Sequence, residues 1–224
     1  MLISVIVPTL NNEGTIAATL VDLRQQSGDF EVIVVDGGST DQTLGLIKGE
    51  VKIIPLLDTR GGPLLNAGAA AARGEVLLFL WPNSRLPLNV LPAIERNLTL
   101  LPQMIGGNFH LKFDKDTLFS RWLARWIKQQ RYRGHYYGHS GIFIRREVLR
   151  ALGGFQPYEI LADYDLARRM EMYGPTVYLS EVITAPVPGF WGRNILKAIF
   201  IGLVIPALFR VGVHPNRLVI FLDS

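Results

Sequence analysis

The sequence predicts an α/β fold in which helices flank a mostly parallel, Rossmann-like central sheet. The first observation is that short runs of Val, Ile and Leu alternate with segments whose apolar residues repeat at helical spacing. The second is that these runs are apolar throughout, as is typical of strands buried on both faces. The third is that the connections between the runs are long enough for parallel crossovers.

Strands and helices alternate through the first hundred residues. The strands are expected at 3–7, 32–35, 51–54 and 75–80, and the helices at 16–26, 44–48 and 66–73. After Pro87 the alternation becomes less regular. Helices are expected there at 91–100, 121–133, 146–152 and 163–173, and strands at 106–113, 141–144, 177–179 and 182–184.

One acidic side chain, Asp36, follows the second predicted strand directly. In an open α/β sheet, ligands bind at the carboxyl ends of the strands. Gly37 and Gly38 come next and leave the backbone free to turn tightly or to approach a ligand closely. We therefore expect Asp36 to face a ligand.

The composition limits the classes of protein to consider. A chain of 224 residues can form one sizeable core, and we expect a single domain over 1–224. The absence of cysteine excludes disulfides, thiolate metal sites and cysteine nucleophiles. Residues 1–8 predict a first strand and lack the features of a signal peptide, so a cytoplasmic location is expected.

Charge is distributed unevenly along the chain. Residues 1–100 carry 7 Lys and Arg against 10 Asp and Glu, whereas residues 101–224 carry 16 against 9. A basic half attracts phosphates, anionic lipid head groups or nucleic acid, and charge alone does not distinguish them. No nucleic-acid-binding motif is present, so we expect no nucleic-acid partner. A dinucleotide oxidoreductase is excluded because no G-x-G-x-x-G follows the first strand.

Residues 195–213 form the most apolar late segment. Its longest uncharged stretch, 198–209, contains 12 residues, whereas a membrane span needs about 20. We therefore expect a C-terminal packing helix or one that lies in the plane of a membrane. In the second case the protein would sit at the inner face of the membrane.

A series of motifs runs along nearly the whole chain, at 4–11, 34–41, 66–68, 137–141 with 145–147, 153–155 and 162–166. In this order and spacing the chain resembles the family 2 glycosyltransferases with the GT-A fold, and in particular a small bacterial branch of single-domain transferases. The resemblance implies that residues 1–100 bind a nucleotide-sugar donor and that residues 101–224 form the acceptor side. It also implies transfer with inversion.

The resemblance further assigns site residues. It implies a divalent cation, Mg²⁺ or Mn²⁺, held by a DxD-like motif, and a catalytic base at Asp163. The positions that it implies for nucleotide-sugar binding are Pro8, Thr9, Glu13, Asp36, Gly37, Ser39, Asn66 and Asn83.

The sequence departs from the family pattern at several of these positions. The family usually has two acids after the second strand, but here Asp36 is followed by Gly37. At the DxD-like position the chain has Trp81-Pro82-Asn83, and an amide oxygen is a weak ligand for Mg²⁺ or Mn²⁺. Relatives place basic residues just before Asn66; here Arg60 is the nearby candidate for a phosphate or acceptor contact. We therefore expect cation binding to be weakened or absent.

Asp163 matches the family's catalytic base, although the acid that usually precedes it is Ala162 here. One carboxylate suffices to accept the proton of the acceptor hydroxyl. Without the resemblance, a structural role for Asp163 as a helix N-cap or first-turn acid would be favoured. With the resemblance, the role of catalytic base is favoured. Asp165 is expected to pair with Arg168 or Arg169 on the same helix.

Three further features each have both a functional and a structural interpretation. His139 stands where an acid is common; it could contact a phosphate or acceptor or ligate a metal, or it could be structural. Trp81 could stack on a base or sugar, but a core position is more typical. The basic segment 121–133 could bind an anionic acceptor or a membrane surface, but a solvated helix face with two packed tryptophans is favoured.

The sequence thus predicts a glycosyltransferase that moves a sugar from a nucleotide-sugar donor to an acceptor that it does not identify. The alternative is a catalytically impaired relative that binds a nucleotide or sugar, or acts as a scaffold. Trp81 and Asn83 favour the alternative, whereas Asp36, Asn66 and Asp163 favour the enzyme.

Overall fold

The computed structural model describes residues 1–187 and 204–219. The strands are β1 (Ile3–Thr9), β2 (Phe30–Asp36), β3 (Val51–Pro55), β4 (Val76–Phe79), β5 (Gly106–Phe113), β6 (Ile142–Arg145) and β7 (Thr176–Ala185). The helices are α1 (Ile16–Arg24), α2 (Gly61–Ala71), α3 (Val90–Leu100), α4 (Leu118–Arg131), α5 (Arg146–Ala151), α6 (Ala162–Tyr173) and α7 (Ile205–Arg210).

The described strands form one mixed sheet with the order β3-β2-β1-β4-β6-β5-β7. β1 pairs in parallel with β2 and β4, and β2 pairs in parallel with β3. β6 runs antiparallel to both of its neighbours, and β5 and β7 are parallel to each other. The prediction of a mostly parallel sheet is therefore confirmed, and its carboxyl edge brings the ends of β1, β2 and β4 together.

Two apolar cores lie on the two faces of the sheet, because successive strand residues point to opposite sides. One core packs α1 and α3 against β1 through side chains such as Val5 and Val7. The other packs α2, α5 and α6 against Ile6, Ile33 and Phe79. This arrangement explains why the strand sequences are apolar at consecutive positions rather than at alternate ones.

The predicted helix at 44–48 is wrong. The chain makes a single 3₁₀ turn there, Leu44–Leu46, in which no residue is buried. Without an apolar face to pack against the core, so short a segment cannot compensate for the cost of starting a helix. Just before the turn, Asp41 accepts the Thr43 N–H at 2.9 Å.

The two short strands predicted at 177–179 and 182–184 form one strand, β7. Its pairing with β5 shifts register between Phe109 and His110. The irregularity explains the interruption that the sequence pattern shows, because it displaces the alternation of side chains within a continuous strand.

Helix α2 begins at Gly61, earlier than predicted. A Cβ on Gly61 would lie 2.1 Å from the Tyr158 carbonyl oxygen, and one on Gly62 would lie 1.9 Å from that of Gln156. The Gly62 N–H also donates to the Tyr158 carbonyl at 2.8 Å. The glycine pair therefore lets a distant loop pack its backbone directly on the first turn of α2.

The predicted C-terminal apolar segment, 195–213, lies largely outside the described residues. In the described part, α7, Ile205 is buried. The Phe209 ring of the same helix meets those of Tyr158 and Tyr164 edge-on, at centroid distances of 5.9 and 6.1 Å. Within residues 1–187 and 204–219, no helix has the length and apolar character needed to cross a membrane.

Candidate functional site

A cleft of about 250 Å³ opens at the carboxyl ends of β1 and β4. We call it the strand-end cleft. The residues that line it are Pro8, Thr9, Leu10, Asn12, Thr59, Arg60, Gly61, Leu64, Leu65, Trp81, Pro82, Asn83 and Glu159. The cleft thus contains four of the predicted site residues, namely Pro8, Thr9, Arg60 and Asn83.

Two larger depressions, of about 320 and 450 Å³, lie at the opposite edge of the sheet. They share the first residues of β2 and the start of β3 among their walls. None of the predicted site residues lines either depression. The strand-end cleft is therefore the better candidate site despite its smaller volume, because ligands of open α/β sheets bind at the carboxyl edge.

Asn12 organises the floor of the strand-end cleft. Its Oδ1 accepts hydrogen bonds from the Thr9 hydroxyl and from the Leu10 N–H, both at 3.0 Å. Its own N–H donates to the Thr43 hydroxyl at 2.7 Å. The loop after β1 is therefore held in one shape, and the buried Thr9 hydroxyl is fixed at the strand end.

Asp36 lies at the end of β2, as predicted, but its carboxylate is engaged by the loop that follows. Oδ2 accepts the N–H groups of Gly38 and Ser39 at 3.1 and 2.9 Å, and Oδ1 accepts the Ser39 hydroxyl at 2.5 Å. The side chain is buried and does not line the strand-end cleft. Its contacts shape the loop.

Gly37 is enclosed by a neighbouring loop. A Cβ at this position would lie 2.4 Å from the Thr59 carbonyl oxygen. Thr59 and Arg60 both line the strand-end cleft. The second acid of the family pattern has no room here, because the backbone that carries Arg60 to the cleft fills the space.

Glu13 and Ser39 tie two loops together. Glu13 accepts the Gln42 N–H at 2.9 Å, and its own N–H donates to Asp41 at 3.2 Å. The Ser39 hydroxyl accepts the Asn11 N–H at 2.9 Å. Neither side chain lines the strand-end cleft; both connect the loop after β1 to the loop after β2.

Asn66 makes a two-point contact with the backbone of Phe155. Its Oδ1 accepts the Phe155 N–H at 2.8 Å, and its Nδ2 donates to the Phe155 carbonyl at 2.9 Å. Gly154 permits the approach, since a Cβ there would lie 2.7 Å from Asn66 Oδ1. Asn66 therefore fastens α2 to the loop after α5, beside the cleft rather than inside it.

Asp163 belongs to a second cluster of polar side chains, which adjoins the strand-end cleft. Its Oδ2 accepts the Gly138 N–H at 2.7 Å, and its Oδ1 accepts the Tyr164 N–H at 2.8 Å. The Trp81 ring lies directly on Gly138, where a Cβ would come within 2.4 Å of it, and 5.9 Å from the His139 ring. We call Trp81, Gly138, His139 and Asp163 the Trp81 corner.

Burial sets the protonation of the aromatic groups around Asp163. Burial lowers the pKa of His139, and the Asp163 carboxylate acts in the opposite direction. Burial also raises the pKa of Tyr137 well above its usual range, and the neighbouring Tyr164 and Asp163 add to this shift. At neutral pH the imidazole of His139 and the phenol of Tyr137, both next to Asp163, are therefore neutral.

The end of β4 offers neutral oxygens rather than carboxylates. Asn83 Oδ1 and Ser84 Oγ are both buried without a hydrogen-bond partner in the described part of the chain. The described residues also contain no group of three or more His, Cys, Asp or Glu that could hold a metal ion. This donor set does not fit a Mg²⁺ or Mn²⁺ ion held by protein carboxylates.

Contacts bear on the predictions for three other residues. Trp81 packs against the second core, as the favoured interpretation predicts, and it also lines the cleft, so stacking on a base or sugar stays a prediction. Asp165 pairs with Arg169 at 2.8 Å, which confirms the predicted ion pair. The prediction that both tryptophans of α4 are packed is wrong, because Trp122 is 51% exposed.

The sequence did not point to Glu159, which lines the strand-end cleft from the loop before α6. Its N–H donates to Asn216 Oδ1 at 2.9 Å, so residues near the end of the chain hold this loop. The loop ends at Leu161, whose φ of 60° is left-handed. No local signal predicts such a position, because cleft loops have no portable motif. Asn12, by contrast, follows a predicted strand end and could have been considered.

Comparison with known proteins gives a consistent result. Residues 4–153 match the family model described as glycosyl transferase family 2. The PGL/p-HBAD biosynthesis glycosyltransferase of Mycobacterium tuberculosis is 31% identical over 185 residues, which cover 72% of this chain and 66% of the relative. TarS of Staphylococcus aureus, a poly(ribitol-phosphate) beta-N-acetylglucosaminyltransferase, is 41% identical over 90 residues, or 36% and 16% of the two chains. The chain thus spans just under two thirds of the first relative.

Solved structures share the fold. The mannosyltransferase PcManGT of Pyrobaculum calidifontis, in complex with GDP-Man and Mn²⁺, has a TM-score of 0.69 at 21% identity over 99% of this chain and 68% of its own. TarS has a TM-score of 0.67 at 22% identity over 90% of this chain and 39% of its own. A shorter TarS structure contains UDP-GlcNAc. At these identities the likeness shows the GT-A fold, and it confirms the predicted fold class.

Proposed function

The chain belongs to glycosyl transferase family 2, and on that premise we propose that it transfers a sugar from a nucleotide-sugar donor to an acceptor hydroxyl. The observation that carries the proposal is the 2.7 Å hydrogen bond from the Gly138 N–H to Asp163. It holds a carboxylate at the Trp81 corner, and Trp81 itself lines the strand-end cleft. Donor cleft and base would then be adjacent.

We propose transfer with inversion. The acceptor oxygen attacks the anomeric carbon while the bond from that carbon to the donor phosphate breaks, and the nucleoside diphosphate leaves. Asp163 accepts the proton of the attacking hydroxyl, a role that contributes about 10²–10⁴-fold in rate. The neutral His139 beside it adds no positive charge that would weaken the carboxylate as a base.

The strand-end cleft is the proposed donor site. Pro8, Thr9 and Asn83 form part of its wall, Arg60 brings a cation for the phosphates, and Trp81 offers a ring face for a base or sugar. The other predicted residues would not contact the donor directly but would hold the loops that frame the cleft; they are Glu13, Asp36, Gly37, Ser39 and Asn66. GDP-Man and UDP-GlcNAc in the structural relatives support a nucleotide-sugar ligand.

Cation use is proposed to be weaker than in carboxylate-bearing relatives. PcManGT was solved with Mn²⁺, whereas the end of β4 in this chain carries an amide and a hydroxyl. Neutral oxygens bind Mg²⁺ and Mn²⁺ less tightly than carboxylates do. Any cation at this site would then depend mainly on the donor phosphates.

We also propose that the two halves of the chain bind different substrates. Residues 1–100 would hold the donor, and residues 101–224 would form the acceptor side of one domain. Both parts contribute strands to the same sheet, which supports this arrangement. A cytoplasmic location fits the use of nucleotide sugars.

The test combines binding and turnover. Calorimetric titration with a panel of nucleotide sugars, with and without Mn²⁺, should identify a donor that binds in both conditions. Asp163→Asn should leave that affinity within about twofold and lower donor hydrolysis by at least about 10²-fold. Asp165→Asn is the matched control on the same helix turn and should keep near-normal turnover. Full turnover in Asp163→Asn would exclude it as the base, and failure of every nucleotide to bind would exclude the donor site.

A second candidate function is favoured by one observation, the sequence Trp81-Pro82-Asn83 at the end of β4. A protein that keeps the cleft but lacks cation-binding carboxylates could bind a nucleotide or sugar without transferring it. Donor binding without hydrolysis or transfer, in the presence and absence of Mn²⁺, would support this function over the enzyme.

A further inference from the structure

Helix α4 exposes apolar side chains on the side that faces away from the sheet. Leu118 is 86% exposed and Trp122 is 51% exposed. These residues are one turn apart, so they form one patch. The buried residues of the helix, Ser120, Leu123 and Arg131, lie on the other side. Neighbouring large apolar side chains left in water mark an interaction surface.

The inner side of α4 is firmly attached to the protein. Arg131 donates to Glu171 at 3.0 Å and to Thr176 at 2.7 Å, and its guanidinium lies 4.4 Å from the centre of the Tyr136 ring. At the other end, Thr117 and Ser120 form a capping box. The exposed patch is therefore presented by a helix that is fixed at both ends.

Cations lie close to the patch along the chain. Residues 112–128 contain five Lys and Arg against two Asp. One of these acids, Asp116, is bound at both oxygens by Arg121, at 2.7 Å each. Four of the five cations in this stretch make no ion pair with the described residues, namely Lys112, Lys115, Arg125 and Lys128. An apolar patch beside a positive flank is the chemistry of an interfacial helix.

The patch lies at the same edge of the sheet as the strand-end cleft. β4 and β5 both run antiparallel to β6, so their carboxyl ends share one edge. α4 begins soon after the end of β5, and its last residue, Arg131, reaches Thr176 at the start of β7, which is parallel to β5. The Leu118 end of the helix is therefore the end nearer the cleft.

We propose that α4 docks the protein on an anionic bilayer surface. Leu118 and Trp122 enter the boundary between head groups and acyl chains, where an indole ring is well accommodated. Lys112, Lys115 and Arg125 meet the lipid phosphates. A second copy of the same patch is a poorer occupant, because two positive flanks would repel each other. Docking does not require the proposed transfer reaction, but it would bring the cleft to acceptors presented at a membrane.

The experiment measures sedimentation of the full chain with vesicles of phosphatidylcholine alone or mixed with phosphatidylglycerol. Binding is expected with the mixed vesicles and should fall steeply in high salt. Leu118→Ser with Trp122→Ser should reduce partitioning at least about tenfold. Arg125→Gln should reduce it about fivefold. Leu100→Ser, at a leucine that is 71% exposed at the end of α3, is the matched control and should bind as the unchanged protein does.

Equal sedimentation with the two vesicle types would overturn the proposal, as would a Leu118→Ser, Trp122→Ser variant that binds like the unchanged protein. Circular dichroism and nucleotide titration of the same variants separate this result from the proposed function. Loss of vesicle binding with donor affinity intact supports docking alone. Self-association that disappears in the variants, without vesicle binding, would assign the patch to a second copy and overturn the proposal.

Discussion

The two polar regions at the carboxyl edge of the sheet differ in whether their side-chain oxygens have hydrogen-bond partners within the protein. At the end of β2, the Asp36 carboxylate accepts three hydrogen bonds from its own loop, and Gly37 is closed off by the Thr59 carbonyl. At the end of β4, Asn83 Oδ1 and Ser84 Oγ are buried with no partner among the described residues. Buried polar atoms are almost always satisfied in folded proteins, so these two oxygens set the second region apart from the first.

Residues of one family motif can therefore serve two purposes. The acid and glycines after β2 keep the loop in shape and make room for Thr59 and Arg60, whereas the Trp81 ring at the end of β4 lines the cleft. Substitutions at the end of β2 should therefore act on stability, and those at the Trp81 corner should act on binding and turnover.

The largest effect is expected at Gly37. Gly37→Ala places a Cβ against the Thr59 carbonyl, where it would lie at 2.4 Å, and should lower the free energy of unfolding by about 3–5 kcal/mol. Gly37→Asp, which restores the second acid of the family, should destabilise at least as much and should not improve nucleotide binding. Urea denaturation measures the change. Gly14→Ala is the control, since nothing lies within 4 Å of a Cβ there; equal stability of the two variants would refute the close approach.

Asn66→Ala tests whether a second predicted ligand residue is structural. It removes both hydrogen bonds to the buried Phe155 backbone and should cost about 2–4 kcal/mol, because an N–H and a carbonyl lose their partners. Donor affinity of the folded fraction should change little. Asn97→Ala, which removes a single bond to the Ala93 carbonyl, should cost about 1 kcal/mol or less. A loss of affinity without a loss of stability would reverse the assignment of Asn66.

Trp81→Leu tests the other region. The substitution keeps an apolar side chain but removes the ring face that lines the cleft. Donor affinity, measured by calorimetry, should fall about fivefold to tenfold, which corresponds to a stacking contribution of about 1–1.4 kcal/mol. Trp122→Leu on α4 is the matched control and should not affect donor affinity. Unchanged affinity in Trp81→Leu would leave Trp81 as a core residue only.

The smallest effect concerns pH. Burial lowers the pKa of His139 below the ordinary value of 6.5, so between those two values the unfolded chain binds more protons than the folded one. The contribution of the neutral imidazole to the free energy of unfolding is therefore fully present above pH 6.5. It is lost as the pH falls toward the lowered pKa. His139→Gln should therefore flatten the decline in unfolding free energy between about pH 7 and pH 5. His110 and His135, whose pKa values burial also lowers, supply the remaining slope. An identical slope in the variant would contradict the assignment.

Much of the fold was predictable because its signals are local. Consecutive apolar residues in β1, β2 and β4 predicted strands buried on both faces, and the alternation with helices predicted parallel pairing. A helix was predicted at 44–48, where the structure has a 3₁₀ turn at Leu44–Leu46. Helix formation there depends on burial, which the local pattern does not show. For the same reason the exposure of Trp122 was missed.

Local patterns and motifs were sufficient to predict the fold class, the family and the strand ends at which a site would form. Which of the motif residues face the cleft could be read only from the packed chain. Asp36 and Asn66 have the right chemistry for a ligand, yet the positions of Ser39 and Phe155 turn them to internal contacts. Hydrogen-bond partners are set by approaches between distant segments, such as Gly138 to Asp163, and these approaches are a property of the packed chain rather than of any motif.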